Sequence, residues 1–235
     1  FSALASAIGE GQRLLNGMQD IQRVFLTRVL TLGMLILVLM TSGFFPVDLR
    51  NASSITLFTV GIPTALMAIC ARPGPFPGES LLRTLAKFVL TAAALASFVG
   101  LLGVTGNFLI GDADFEAGLG TEEMVENSAK TSVTVFLILV GMLVIVFVEP
   151  PIKLLAVIEP ISPDWRPTWL ALGLTSALGI VLLVPPFRDF FNLHPLSIRD
   201  LSIVLAGVLV WTVRVWIFWR WRWVERFLGA DIEGA

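Results

Sequence analysis

The stretch that decides the fold is ITLFTVGIPTALMA, residues Ile55–Ala68. It is apolar enough to lie in a lipid bilayer, yet Gly61 and Pro63 interrupt it two residues apart. Proline has no N–H, and its ring clashes with the carbonyl group four residues back, here that of Thr59. A freed carbonyl in hydrocarbon needs a partner, so a broken helix is tolerated only against protein, water or an ion. The stretch therefore predicts either an ion site of the kind found in transporters or a passive kink.

The composition of the whole chain indicates an integral membrane protein. Of its 235 residues, 56% are hydrophobic and 14% are charged, whereas soluble domains are nearer half apolar and a quarter charged. A formal charge of −2 excludes the basic character of a nucleic-acid-binding protein, so the expected partner is a lipid bilayer and not a nucleic acid. Because the chain begins with Phe1 and not with Met, we expect it to be part of a longer polypeptide.

Six segments are apolar enough to cross a bilayer, which takes about 20 residues. They cover residues 24–45, 52–71, 82–104, 131–148, 168–184 and 201–223. We therefore predict an all-α fold, a polytopic transmembrane helical bundle over residues 23–227 with a short tail at 228–235. Residues 1–22 have apolar side chains at helical spacing and no boundary before Val24, which predicts that the first helix extends beyond the membrane as a stalk.

Orientation follows from arginine and lysine, which concentrate on the cytoplasmic side of the span ends. Most of them share one side if residue 1 is inside, and only Arg50, Lys130, Arg188 and Arg199 fall on the other. This predicts a multi-pass plasma membrane protein with both termini in the cytoplasm. Residues 105–130 are then expected to form a long acidic outer loop, and the tryptophans of residues 211–223 to anchor the last span at the membrane interface.

Polar groups within the spans are few, so those near the interrupted stretch are candidates for an ion path. Threonine hydroxyls there either coordinate a cation or bond to a carbonyl of their own helix. Arg28 is ionisable and lies one turn inside the first span, which makes it a functional-site hypothesis. It either points inward, where its charge would fill an empty cation site, or reaches back to the cytoplasmic face. The candidates are Thr27, Arg28, Thr31, Thr56, Thr59, Val60, Gly61 and Pro63.

Carboxylates are absent from the central part of every predicted span. A dehydrated divalent cation prefers oxygen ligands, and usually carboxylates. Either helices outside this chain supply negative charge, or hydroxyls and backbone carbonyls do most of the binding. We assign no metal ligand, and because there is no Gly-rich phosphate loop we expect no cofactor within this chain.

Two motifs resemble parts of the P-type cation-transporting ATPases. Phe1–Leu4 followed by AIGEGQRLLNGM, residues Ala7–Met18, is similar to the end of the phosphorylation domain, where a Glu-Gly-Arg run leads into the fifth membrane helix. TLFTVGIP, residues Thr56–Pro63, resembles the sixth helix with its Gly-(Leu/Ile)-Pro break. With Phe25–Arg28 and the Ser162–Pro167 turn, these motifs most resemble the bacterial E-type cation-transporting ATPases of mycobacteria and their relatives.

The resemblance implies that the six spans are helices five to ten of an ATP-driven pump whose substrate is a cation. It implies ATP and Mg²⁺ as cofactors of the full-length pump, with further N-terminal helices and cytoplasmic domains as partners of this region. It assigns residues 1–22 to the end of the phosphorylation domain and to a stalk that couples the two parts. The coupling candidates are Glu10, Arg13, Asn16 and Arg23.

The amide and carboxylate ligands of the calcium-pump branch do not carry over. Their positions are taken here by Val29, Leu32 and Val60. The chain also lacks the phosphorylated Asp-Lys-Thr-Gly motif, so this polypeptide is not expected to hydrolyse ATP by itself. The alternative is a self-contained six-helix membrane scaffold without ATP coupling, which the reading frame upstream of Phe1 would distinguish.

Overall fold

The computed structural model describes residues 2–41, 43–70, 81–116, 122–151 and 165–220, and the regular elements in these ranges are all helical. The α-helices are α1 (Ser2–Met40), α2 (Leu49–Thr56), α3 (Ile62–Cys70), α4 (Leu81–Glu116), α5 (Glu122–Val148), α6 (Arg166–Leu183), α7 (Pro185–Phe190) and α8 (Ile198–Arg220). One π-helical turn, Leu57–Gly61, joins α2 to α3. Within the described ranges, six helical segments are long and apolar enough to cross a membrane, which confirms the predicted all-α bundle.

Helix α1 runs for 39 residues, through the predicted stalk and the first apolar segment, without a boundary. It ends earlier than the predicted span 24–45, because Gly43 and not Pro46 stops it. Gly43 adopts a left-handed backbone with φ of 74°. Its N–H donates to the Met40 carbonyl at 3.1 Å, and the Phe44 N–H donates to the Leu39 carbonyl at 3.2 Å. These two bonds form a Schellman cap, which satisfies carbonyls at the end of the helix.

The expected long loop at residues 105–130 is wrong for the described residues. Helix α4 continues to Glu116 and α5 already begins at Glu122. Hydropathy marks the part of a helix that prefers hydrocarbon, not the point where its backbone hydrogen bonds end. The polar ends of these helices are stabilised by contacts of their own. Glu126 and Lys130, one helical turn apart on α5, form an ion pair at 2.9 Å.

The prolines after α6 also behave differently from a simple stop. The predicted fifth span, 168–184, is close to α6, which ends at Leu183. Pro185 and Pro186 then begin the short helix α7, since proline is well suited to the first turn of a helix. The first part of the expected Ser162–Pro167 turn lies outside the described residues, and its last two residues belong to α6. The end of the sixth span at 221–223 and the tail at 228–235 also lie outside them.

Helix α5 forms the centre of the bundle. It packs against α1, α2, the π turn, α4, α6 and α8, and its Ile138 and Ile145 are fully buried. The tryptophans of α8 were expected at the membrane interface, but Trp211 and Trp219 are buried. Trp211 donates its indole N–H to the Ala92 carbonyl at 3.1 Å, and the ring of Trp219 stacks on that of Phe88 at 4.8 Å. These two rings therefore pack α8 against the core.

Candidate functional site

The interrupted stretch is a continuous helix that contains the π turn, so the backbone adapts to Pro63 by a wider turn and not by a gap in the helix. The Ile62 N–H donates to the Leu57 carbonyl, five residues back, and this wider turn relieves the clash that Pro63 causes in an α-helix. The Thr64 hydroxyl donates to the Val60 carbonyl at 2.7 Å. Backbone carbonyls near the proline are thus partly satisfied within the segment. Single π turns of this kind are frequent at functional sites.

The second apolar segment consists of α2, the π turn and α3. A small cavity lies beside the π turn, between α1, this segment and α5. We call it the hydroxyl cavity. Its volume of about 20 Å³ is room for roughly one water molecule. Its lining residues are Val24, Thr27, Arg28, Thr31, Leu32, Ile55, Thr59, Leu137, Val140, Gly141 and Val144. The structure therefore brings four of the predicted site residues, Thr27, Arg28, Thr31 and Thr59, to one place.

The three threonine hydroxyls of the cavity donate to carbonyls of their own helices. Thr27 bonds to the Arg23 carbonyl at 2.7 Å, Thr31 to the Thr27 carbonyl at 2.7 Å, and Thr59 to the Ile55 carbonyl at 2.6 Å. Of the two predicted alternatives for these groups, the structure shows the back-bonded one. Each oxygen keeps acceptor capacity, because a hydroxyl has two lone pairs. The three threonines line a cavity whose surface is mostly apolar.

Arg28 crosses from α1 to the second apolar segment. Its guanidinium donates to the hydroxyl oxygen of Thr56, and its half-buried side chain lines the cavity. The Nε–H is buried without a hydrogen-bond partner among the described residues. Of the two predicted orientations, the structure shows the inward one, which places a fixed positive charge at the rim of the cavity. Thr56 takes part only through this bond, because it does not line the cavity.

Helix α5 supplies a wall that the sequence did not reveal. A Cβ atom on Gly141 would stand 2.5 Å from Cγ2 and 2.9 Å from Cβ of Thr59. Only glycine therefore permits the present approach between α5 and the π turn. A lone glycine in an apolar helix gives no signal of its own, because the partner that needs the space is far away in the sequence.

The remaining predicted pathway residues shape the segment and do not line the cavity. Pro63 is buried, Val60 is half-buried, and Gly61 is exposed. A Cβ on Gly61 would meet nothing closer than 3.7 Å, so close packing does not require glycine there. The lining includes no carboxylate, and the described part of the chain holds no group of three or more His, Cys, Asp or Glu suited to a metal ion.

The predicted stalk residues occupy the first half of α1, where one of them contacts the second apolar segment. Arg13 donates to the Ile69 carbonyl at 2.8 Å, near the end of α3, and lies 3.7 Å from Glu10. Buried Arg23 pairs with Asp20 at 3.5 Å and lies over the ring of Phe88, 6.0 Å from its centroid. Asn16 is half-buried.

A polar cluster at the start of α2 was not predicted. It consists of Asp48, Asn51, Glu126, Lys130 and Asn192. Lys130 lies 3.3 Å from Asp48 as well as close to Glu126, and the Asn192 amide donates to Asp48 at 3.4 Å. The buried Asn51 amide, with its nitrogen toward two backbone carbonyls, donates to Phe191 at 2.6 Å and to Asn192 at 3.1 Å. The cluster therefore joins α2 to α5 and to the α7–α8 connection.

Comparison with known proteins yields one informative similarity, while none of the protein-family models matches the chain. The chain is 20% identical, over an alignment 244 residues long, to the calcium-transporting ATPase CtpE of Mycolicibacterium smegmatis (strain ATCC 700084 / mc(2)155). The match covers 98% of this chain but 28% of the relative, so the chain spans little more than a quarter of that protein's length. Together with the six apolar helices, the similarity fits the transmembrane region of a P-type ATPase and a multi-pass membrane protein.

Proposed function

We propose that the chain is the membrane part of a cation-transporting P-type ATPase and that the hydroxyl cavity lies on its ion path. The observation that carries the proposal is the meeting of Thr27, Arg28 and Thr31 with Thr59 beside the π turn. It occurs in a chain that is similar, over almost its whole length, to a calcium-transporting ATPase. Polar groups that meet beside a π turn fit a functional site, because single π turns are frequent at such sites.

In this proposal the cavity binds its cation through neutral oxygen atoms. Arg28 supplies the positive charge of the site while no cation is bound. When the cation is absent, the guanidinium serves as an internal counter-ion, held in place by Thr56. When the cation arrives, Coulomb repulsion displaces the guanidinium. A divalent cation would need carboxylates from helices outside this chain. The lining suits a singly charged cation better.

We further propose that both termini face the cytoplasm and that the first half of α1 is the coupling stalk. The Arg13–Ile69 bond would then pass movement of the stalk to the second apolar segment. ATP and Mg²⁺ bind, in this proposal, to cytoplasmic domains outside the chain, and the missing membrane helices complete the path. We place the full-length protein in the bacterial plasma membrane, in the E-type branch of these pumps.

Replacement of Arg28 tests the proposal most directly. In Arg28→Ala, we expect the cation concentration for half-maximal ATPase stimulation to change by about tenfold, which is about 1.4 kcal/mol, because the internal competitor is gone. Membrane insertion should be unaffected. The measurement is ATP hydrolysis by the full-length protein in lipid vesicles, across a panel of mono- and divalent cations.

The matched control is Arg214→Ala, because Arg214 also lies within an apolar helix but is exposed on the outside of α8. It should leave the cation dependence unchanged. If Arg28→Ala behaves like this control, Arg28 has no role in transport. If the unmodified protein shows no cation-stimulated ATP hydrolysis at all, the pump itself is rejected in favour of a scaffold.

A further inference from the structure

A second cavity lies on another side of α5, between α4, α5 and α8. We call it the glycine cavity. Its lining includes Gly100, Gly103 and Asn107 of α4, Ser132 and Phe136 of α5, and Gly207 of α8. Its volume is about 20 Å³, again room for roughly one water molecule. It shares no lining residue with the hydroxyl cavity and is independent of the proposed ion path.

Ser132 is the unusual residue of this cavity. Its side chain is buried, with 3% of the residue exposed, and its hydroxyl has no hydrogen-bond partner in the part of the chain that the structure describes. The hydroxyls next to it on α5 are satisfied within the helix: Thr131 bonds to the Asn127 carbonyl and Thr134 to the Lys130 carbonyl, both at 2.9 Å. A hydroxyl in a helix has this bond within reach, so the Ser132 hydroxyl is directed elsewhere.

A second polar group lines the same cavity from α4. Asn107 is 7% exposed and donates one amide N–H to the Gly103 carbonyl at 2.9 Å. An amide has a second N–H and a carbonyl oxygen to offer. The cavity therefore presents two buried, neutral polar side chains from two different helices.

Glycines keep the space between these groups open. A Cβ atom on Gly207 would stand 3.5 Å from Cγ1 of Val99 and 3.6 Å from Cδ2 of Phe136, which is ordinary van der Waals contact. A Cβ atom on Gly103 would meet nothing within 4 Å. Alanine would thus fit at both positions, whereas at the third lining glycine, Gly100, a Cβ atom would stand 2.6 Å from Cδ1 of Leu35 and close packing requires glycine.

We propose that the glycine cavity is a binding site for one water molecule, held between the Ser132 hydroxyl and the Asn107 amide. A buried polar group without a partner carries its full desolvation penalty, and buried waters typically satisfy such groups with two to four hydrogen bonds. A neutral hydroxyl and a neutral amide supply the donors and acceptors that one water molecule needs. The water joins α4 to α5 through these two side chains.

The test is a double-mutant cycle on the full-length protein in detergent, read as the midpoint of thermal unfolding. Gly207→Ala puts a methyl group into the cavity, expels the water and strands the Ser132 hydroxyl, so we expect the midpoint to fall by about 2–4 °C. In the Ser132→Ala background the same methyl group fills an apolar space, so we expect the midpoint to rise. Reversal of sign is the signature of a bound water.

The matched control is Gly179→Ala on α6, where a Cβ meets nothing within 4 Å; its effect should be the same with Ser132 and with Ala at that position. A dry cavity predicts instead that Gly207→Ala raises the midpoint in both backgrounds and that the effects add, which would overturn the proposal. Should Gly207→Ala fail to fold, a map of the unmodified protein decides the question. A cryo-EM map of the unmodified protein should show density within hydrogen-bonding distance of Ser132 Oγ, and an empty cavity there rejects the site.

Discussion

The second apolar segment is held in two different ways at its start and in its middle. At the start of α2, polar bonds cross between elements, from Asn51 to the α7–α8 connection and from Asp48 to Lys130 on α5. At the hydroxyl cavity, the threonine hydroxyl bonds stay within their own helices, and among the described residues Arg28 makes the side-chain bond that crosses to the second apolar segment. Movement of the start breaks tertiary hydrogen bonds, whereas movement of the middle largely preserves the existing ones. The difference indicates a fixed end and an adaptable middle.

The fixed end should be the more sensitive to loss of a side chain. Asn51→Ala removes both amide bonds and leaves the carbonyls of Phe191 and Asn192 without that donor. We expect a loss of roughly 2–3 kcal/mol in unfolding free energy, because unsatisfied buried polar groups cost about 1–3 kcal/mol each. Cation-stimulated ATP hydrolysis per folded molecule should be unchanged. Denaturant unfolding and activity assays check the two expectations, with exposed Arg50→Ala as control; equal stability of the two variants would remove the contrast between the ends.

A larger side chain on α5, facing the middle of the second apolar segment, should reduce transport. Gly141→Ala places a methyl group against Thr59, so that the π turn or α5 must shift. We expect a destabilisation of about 1–2 kcal/mol, typical of overpacking, and a roughly tenfold fall in transport, equal to 1.4 kcal/mol in a rate. Transport in vesicles and thermal unfolding are the measurements. Gly173→Ala on α6, where a Cβ meets nothing within 4 Å, is the control, and identical behaviour of both variants would contradict a special role for Gly141.

Replacing Pro63 by a residue with a backbone N–H should raise the stability of the protein and lower its transport. In Pro63→Ala the new N–H can bond to the Thr59 carbonyl, so we expect the π turn to relax toward an α-helix. The gain is about 1 kcal/mol, less than the ~3 kcal/mol cost of an unrelieved proline, since the wider turn already avoids the clash. Transport should fall because Thr56 and Thr59 change direction relative to Arg28. Normal transport in this variant would leave the π turn with only a structural role.

The sequence predicts the helices well and their ends less well. Hydropathy alone identifies six apolar segments, because a bilayer demands about 20 apolar residues from each. It does not show that α4 and α5 continue into polar sequence, since Glu126 and Lys130 stabilise the helix without being apolar. The end of α1 was visible in principle, as Gly43 is a typical capping residue, but the nearby Pro46 gave the more obvious signal.

Some residues of the candidate site can be predicted from local sequence, and others depend on contacts between distant parts of the chain. Thr27 and Thr31 are four residues apart on one helix, so their shared face follows from the sequence. Gly141 and Asn51 could not be found in this way. Asn51 meets residues of the α7–α8 connection, and the neighbouring Asp48–Asn192 bond spans 144 positions. Pro63 predicts that the backbone must adapt, but a π turn and a complete break both satisfy that demand.

The length of α1 determines how far a small tilt of this helix moves the residues at its start. Arg13 and Arg28 lie on one uninterrupted helix, about 22 Å apart at 1.5 Å per residue. A lever arm of that length, pivoting by about 5° at Arg28, carries Arg13 through about 2 Å. That displacement is enough to break a hydrogen bond of 2.8 Å to the Ile69 carbonyl. In the proposed coupling, Arg28 would be the pivot of α1 and the Arg13–Ile69 bond the contact that its tilt releases.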